Sequence, residues 1–466
     1  MCSVNDDDCG IEERNPIISK TNLDVSKCKK CEENETVIVL RGKDAYCKNC
    51  FLASSTHKFR ATLGKSKIIR PNDNILVAHS GSAASSVLLH LIHAGMHESA
   101  HKRLIFKSKV LYIDEGILEE KTHDEQRTTV EKIANQLKTF DFSGFTTKIN
   151  ESLSESDLKI FPIDSPGEEN AKEEEETKNT FLKLSEQSAK NDLLVKLRTR
   201  LLIRAARHLN CNKIFTAETA TSLSISILSN ITMGRGAHLS LDVGFADTRI
   251  SDIMILRPMR AFTNLEIDYY QRFHKIQSPL EFPKTTNQNL KSIQTLIDQF
   301  VNEMDKESHS TVSTVLRTGE KLCTLISDEK FEKYCILCNS PLDTTINGDI
   351  SALQAINYSE FVSTNVVEPH SEKIEPNSEN FIGNCETNDE RIGNSENNCN
   401  CSSGKRNCGE KNENILVILK NNLCYGCRLI VVNFKDVKDI PSFMLNKARN
   451  LMSFEKMHEE IADFLL

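Results

Sequence analysis

A chain of 466 residues is long for one compact core, and 39% apolar content is low for a chain folded throughout, so two or three units with polar insertions are expected. No Trp, 18 Gly and 11 Pro exclude collagen-like and disulfide-miniprotein classes. A net charge of −8 argues against a wholesale basic nucleic-acid binder yet allows a local basic face, and no run of about 18 apolar residues offers a membrane span.

Residues 1–20, opening MCSVNDDDCGIEERN, read as a solvated, disordered tail with neither a secretory apolar stretch nor an Arg-rich transit pattern. A first unit over 21–60 carries K-C-K-K-C and Y-C-K-N-C around a β-like stretch at 36–41, and a Lys- and Arg-rich link follows. From 61 to 305 strand and helix signals alternate, as in a parallel α/β sheet. Strands are expected at 75–78, 109–113, 214–216 and 252–256, and helices at 87–92 and 192–209. Between the second and third strands, an insertion at about 141–190 holds the acidic run 173–176 and reads as a solvated loop with fraying helical segments. Residues 306–343 and 415–440 read as a split C-terminal knuckle around a disordered Asn-, Ser- and Glu-rich insertion at 344–414, with a helix at 441–466.

Sixteen cysteines could mean a secreted disulfide framework, but half of them stand in four C-x-x-C pairs without a signal peptide, which is metal spacing and points to the cytoplasm. Cys28, Cys31, Cys47 and Cys50, with fifteen residues between the pairs, match a four-thiolate zinc site. Two such knuckles complete a tetrahedron at about 2.3 Å per Zn–S bond, and the metal adds folding energy to a unit too small to bury its own core. Unbound reduced cysteines and an iron–sulfur cluster are the alternatives. Cys335, Cys338, Cys424 and Cys427 repeat the pattern across 85 intervening residues, so a shared zinc there is an inference. Loop-closure cost rises slowly enough with length to tolerate the excursion. Cys385, Cys399, Cys401 and Cys408 stay unassigned.

The run I-L-V-A-H-S-G-S-A-A-S-S at 75–86 is a strand, a small-residue turn and a helix start, where backbone N–H groups and the helix N-terminus can face phosphate. A turn that only packs helix on strand reads equally well. The segment resembles the PP-loop of N-type ATP pyrophosphatases, S-G-G-x-D-S: Ser80, Gly81 and Ser85 match, while Ser82 replaces the second glycine and Ala84 the aspartate. Those losses put ATP binding in doubt and leave residual phosphate binding open. The run A-E-T-A-T after the third strand lacks the His- and Asp-containing polar run usual in catalytic relatives, and Cys211 and Cys323 stand singly, without a three-cysteine cluster site.

In order, the double knuckle, this loop, Y-I-D-E-G at 112–116, N-I-T-M-G-R-G-A-H-L at 230–239, D-V-G-F-A-D at 242–247, L-R-P-M-R at 256–260, S-T-V-S-T-V-L-R-T at 310–318 and the split knuckles resemble the cytoplasmic tRNA 2-thiolation protein 2 family. The resemblance implies a Rossmann-like PP-loop α/β sheet with zinc-knuckle units at both ends. It implies a non-catalytic subunit, paired as a heterodimer with a catalytic PP-loop thiolation subunit. That complex places sulfur at position 2 of the wobble uridine in the tRNAs for Lys, Glu and Gln. The sulfur arrives on a ubiquitin-related carrier that meets this chain only indirectly. An active ATP-dependent tRNA sulfurtransferase and a zinc-knuckle adaptor in ubiquitin-like modification are the rival readings.

Two features bear on tRNA. On the helix at 192–209, Lys196, Arg200 and Arg204 recur every four residues with Arg207 adjacent, either as a solvated face or as a phosphate track. Arg235, between two glycines, reads as a tRNA or partner contact, or as part of a helix-ending turn.

Overall fold

The computed structural model describes residues 26–97, 103–165, 167, 171–236, 238–280, 292–308, 310–322, 333–342, 415 and 417–462, with side chains to 453. Cys323 and the cysteines of 344–414 lie outside them, as do the tail and all of that insertion. The chain enters through an antiparallel ribbon, β1 (Ile38–Leu40) and β2 (Asp44–Tyr46), and passes from Cys47 straight into α1 (Lys48–Ser66).

A seven-stranded sheet follows, ordered β6-β5-β4-β3-β7-β9-β8. Its parallel centre is β3 (Asn74–Ala78), β4 (Lys107–Asp114), β5 (Gly144–Lys148), β7 (Lys213–Phe215) and β9 (Met254–Leu256). Short antiparallel strands, β6 (Phe161–Pro162) and β8 (Ala246–Asp247), close the edges. Short edge strands limit the unpaired backbone open to another chain.

The alternation of side chains along β3 divides the core. Ile75 and Val77 face a layer built from Phe51, Phe59 and Leu63 of α1, with α2 (Ala83–Met96), α3 (His123–Thr139) and α8 (Asn264–His274). Leu76 faces the opposite layer, where α5 (Gln187–His208) lies under the C-terminal segments. Both faces are therefore covered, as a parallel sheet requires. A side bundle of α6 (Ala220–Thr232), α7 (Leu239–Val243), α9 (Ile293–Glu307) and α10 (Thr311–Lys321) has its own cluster around Leu223, Ile227 and Val301. Helix starts are chemically marked: Thr122, Thr219 and Thr263 each form a capping box.

All four expected strands are present, and the helix expected at 192–209 is the C-terminal part of α5. Three boundaries differ. The span 141–190 is not a solvated insertion, because it supplies β5, β6 and α4 (Ala171–Leu182). Glu174, 3% exposed, pairs with Lys148, and Glu173 accepts from Lys159 at 3.0 Å. Cations from β5 and beyond, remote in sequence, neutralise a run that looks solvated when taken alone. The unit boundary at 60 cuts through α1, whose Phe51, Phe59 and Leu63 join the sheet's core, so the N-terminal knuckle shares that core. The stretch 311–321, read as part of the second knuckle, is α10 of the side bundle.

Phe59 is 1% exposed in that shared core. Phe59→Ala is expected to cost about 3–5 kcal/mol, read as a lower urea midpoint for the whole α/β unit rather than a local loss confined to residues 26–66.

Candidate functional site

Four thiol sulfurs gather at each of two places. Cys28, Cys31, Cys47 and Cys50 form one group and Cys335, Cys338, Cys424 and Cys427 the other, with the sulfurs of each group all within 4.8 Å of one another. Cys31 and Cys47 lie 3.9 Å apart, sulfur to sulfur, and Cys338 and Cys424 lie 3.5 Å apart. A tetrahedron with about 2.3 Å metal–sulfur bonds has edges of about 3.8 Å, so the spacing suits one ion. A four-iron cube, lying between its ligands, holds them farther apart.

Protons are unevenly shared in both groups. Burial opposes ionisation of Cys28, but the backbone N–H groups of Cys47, Cys31 and Lys30 bring it down to about 6. Cys47 beside it pushes Cys50 up to about 12. In the second group, hydrogen bonds from Cys335, Cys424 and Cys427 hold Cys338 far below the thiol range, while Cys335 and Cys338 push Cys424 up. Four thiolates so close together ionise fully only around a cation, and each group could hold a metal ion.

The second group forms one wall of a cleft of about 970 Å³. The opposite wall is the carboxyl end of the sheet at β3 and β7, where the strand order reverses and α/β folds bind ligands. Arg249 joins the walls: it donates to Asp242 at 2.6 Å and to Ser340 Oγ at 2.9 Å, and its carbonyl accepts from Asn339 at 2.7 Å. The D-V-G-F-A-D string therefore supplies the acids that seat the knuckle. L-R-P-M-R does similar work, with Arg257 donating to Glu218 at 2.7 Å and to the Gly244 carbonyl at 2.9 Å.

The loop after β3 is turned in on itself. Ser80 Oγ donates to Ser82 Oγ at 3.0 Å and lies 3.4 Å from Ser85 Oγ, and Ser82 caps α2. Gly81 has φ +77°, its carbonyl accepts from the Leu280 N–H at 3.1 Å, and a Cβ there would meet Leu280 at 2.9 Å. Ala84 lines the cleft without charge. At the end of β7, Glu218 is tied to Arg257 and to Thr216 Oγ1 at 2.9 Å. His79, 2% exposed, has no hydrogen-bond partner at either ring nitrogen. Burial lowers it to about 4; the Gln136 amide works the other way, but its own bonds run to Ser86 and Gln277.

The basic candidates fare differently. Burial works to lower Lys196, but the Asp242 carboxylate and the Cys427 and Cys338 sulfurs hold it above its ordinary value. Arg207 pairs with Asp252 at 2.8 Å. Arg235 is turned inward onto Asp192, packed beneath Gly426, where a Cβ would meet its Cδ at 2.7 Å. Its backbone closes α6: Arg235 N–H reaches the Asn230 carbonyl at 2.7 Å and Gly234 N–H reaches Ile231 at 3.0 Å, with Gly234 at φ +69°. That is a Schellman turn, the helix-ending alternative for G-R-G. Arg200 and Arg204 reach the cleft and hold backbone carbonyls. Sequence reasoning missed Phe443 and Lys447, in the stretch read only as a C-terminal helix, and Leu280, in a part of the α/β unit to which no role was given.

A family model for cytoplasmic tRNA 2-thiolation protein 2 matches residues 292–429. The Danio rerio protein of that name is 31% identical over 511 residues, covering 100% of this chain and 99% of its own. The chain belongs to the cytoplasmic tRNA 2-thiolation protein 2 family. It is thus a tRNA 2-thiolation protein. The Homo sapiens relative in this family is 27% identical, covering 100% of this chain and 98% of its own. Among solved structures, the U34-tRNA thiolase NcsA from Methanococcus maripaludis, with its 4Fe-4S cluster, matches at TM-score 0.50 and 15% identity, over 70% of this chain and 93% of that one. That likeness speaks to the PP-loop fold alone. No helix among the described residues is long and apolar enough to cross a membrane.

His79 generates a pH dependence. Its folded pKa of about 4 lies below the ordinary 6.5, so the unfolded chain takes up a proton that the folded chain refuses. This contribution is complete above about pH 6.5 and lost as pH falls toward about 4. Lowering pH from about 7 to about 5 should cost about 2 kcal/mol from this group. Urea midpoints for the parent and for His79→Gln test it: the variant should lose that part of the slope.

Proposed function

We propose that this chain is the non-catalytic partner and tRNA-binding scaffold of the cytoplasmic complex that 2-thiolates the wobble uridine of the tRNAs for Lys, Glu and Gln. The observation that carries this reading is the loop after β3. Its three hydroxyls bond one another, Ala84 stands where PP-loops carry aspartate, and Leu280 lies over Gly81. A loop in that state offers a triphosphate no unengaged serine hydroxyl and no charge to hold its metal. Glu218, bonded to Arg257, is no better placed as a base.

Activation of the uridine then falls to a catalytic PP-loop subunit bound as a heterodimer, with sulfur delivered by a ubiquitin-related carrier. This chain contributes the cleft and its cations. Both four-cysteine groups hold structural zinc in this reading, supported by sulfur spacing that suits a single ion. The eight thiolates would be the ligands, and the ions would close the ribbon onto α1 and the C-terminal knuckle onto α5.

Two measurements test it. In reconstituted thiolation of tRNA transcripts with the catalytic subunit and sulfur carrier, omitting either chain should abolish product. Product from this chain with carrier and ATP alone would overturn the non-catalytic assignment. Elemental analysis should find about two zinc ions per chain, and Cys424→Ser should retain about one, with the thermal transition lowered. Iron and sulfide in place of zinc would refute the metal assignment.

A further inference from the structure

Most cations that reach the cleft are committed to carboxylates. Arg198 pairs with Glu115, Arg207 with Asp252, Arg235 with Asp192, Arg249 with Asp242 and Arg257 with Glu218. Lys196 has Asp242 beside it. Three others, Arg200, Arg204 and Lys447, form no ion pair among the described residues and are held by backbone carbonyls instead. Arg200 Nε donates to Ser152 O at 2.9 Å. Arg204 donates to the carbonyls of Glu151, Ser154 and Ser156 at 2.5, 2.8 and 2.6 Å. Lys447 Nζ donates to Ile336 O at 3.0 Å.

The three converge. Arg200 and Arg204 are one turn apart on α5. Phe443 and Lys447 are one turn apart on the C-terminal helix α12 (Ser442–Ala462), which follows α11 (Tyr425–Val432) of the knuckle. The Arg200 guanidinium lies over the Phe443 ring, 4.1 Å from its centroid. Among the described residues, its two terminal nitrogens donate to nothing. The nearby carboxylates are engaged elsewhere: Glu151 lies 3.7 Å from Lys159, and Glu155 accepts from Asn446 at 2.6 Å. Burial, with Arg204 adding repulsion and Glu155 offsetting part of it, lowers Arg200 to about 10. Glu151 and Glu155 relieve these like charges only in part, and a bound anion would relieve them further.

We propose that Arg200, Arg204 and Lys447 form a binding site for a backbone phosphate of tRNA, with Phe443 holding the Arg200 fork flat toward it. This deepens the scaffold reading and rests on it. A flat guanidinium with both terminal nitrogens open is shaped for two phosphate oxygens, and the ammonium adds a point charge across the cleft. The tRNA class is argued from the cleft's size and from cations that belong to different elements, which suits a backbone crossing between them.

The test uses the full chain with its catalytic subunit and an unmodified tRNA transcript, measured by filter binding over a range of KCl concentrations. Lys447→Gln and Arg200→Gln should each weaken binding several-fold and reduce the slope of log K against log salt by about 0.7–0.9. Lys138→Gln, which removes a paired charge outside the cleft, should leave both unchanged. Lys447 is exposed, so its substitution spares the core and keeps the test valid should Arg200→Gln unfold the chain. Tight binding by the parent complex with unchanged affinity and slope in Lys447→Gln would overturn this site alone. No binding by the parent would overturn the scaffold reading and the site with it. If ATP binding, and not tRNA binding, depends on Lys447, the occupant is a nucleotide and the assignment to tRNA fails.

Discussion

Closure of the C-terminal four-cysteine group governs much of this structure. Sulfurs from two pairs, 335/338 and 424/427, lie within 4.8 Å of one another, and their closure presses the knuckle against α5. Ile336, Leu423, Cys427 and Ile430 then share an apolar cluster with Leu197, Leu201 and Phe443. Loop-closure entropy grows only with the logarithm of loop length, so the long intervening span weakens this closure little. One wall of the cleft would not exist without it.

That wall also explains the distribution of charge. The knuckle reaches the sheet's outer edge through Arg249, which bonds Asp242, Asp247 and Ser340. Partly exposed acids recruit cations there: Asp192 pairs with Arg235, Asp242 with Arg249 and with Lys196 beside it, and Glu218 with Arg257. Arg200, Arg204 and Lys447 sit where α5 and α12 meet. There the available acceptors are backbone carbonyls, which orient a cation without cancelling its charge.

Much of the fold is legible in the chain itself. The apolar runs of β3, β4, β7 and β9 reflect burial on both faces, and leucines at helical spacing mark α5. β5 is not legible, because Gly-Phe-Thr-Thr-Lys is a polar-looking strand whose Thr146 and Thr147 are buried only by its neighbours. α4 is hidden for a similar reason: its acids look solvated until Lys148 and Lys159 are brought beside them. Arg235 looks exposed between glycines, yet Gly234 serves the turn and Gly426 lets the knuckle pack over the guanidinium.

The sequence by itself determined the chemistry that depends on neighbours along the chain. It specified the thiol pairs, the replacement of aspartate by Ala84, and the alternation that divides β3 between two cores. Only the tertiary structure decided which charges remain unpaired, that Leu280 covers the loop, and that Phe443 and Lys447 belong to the cleft. The physical reason is range. Thiol spacing and strand alternation act over a few residues, whereas neutralising a charge or covering a glycine needs a group that only the finished packing brings near.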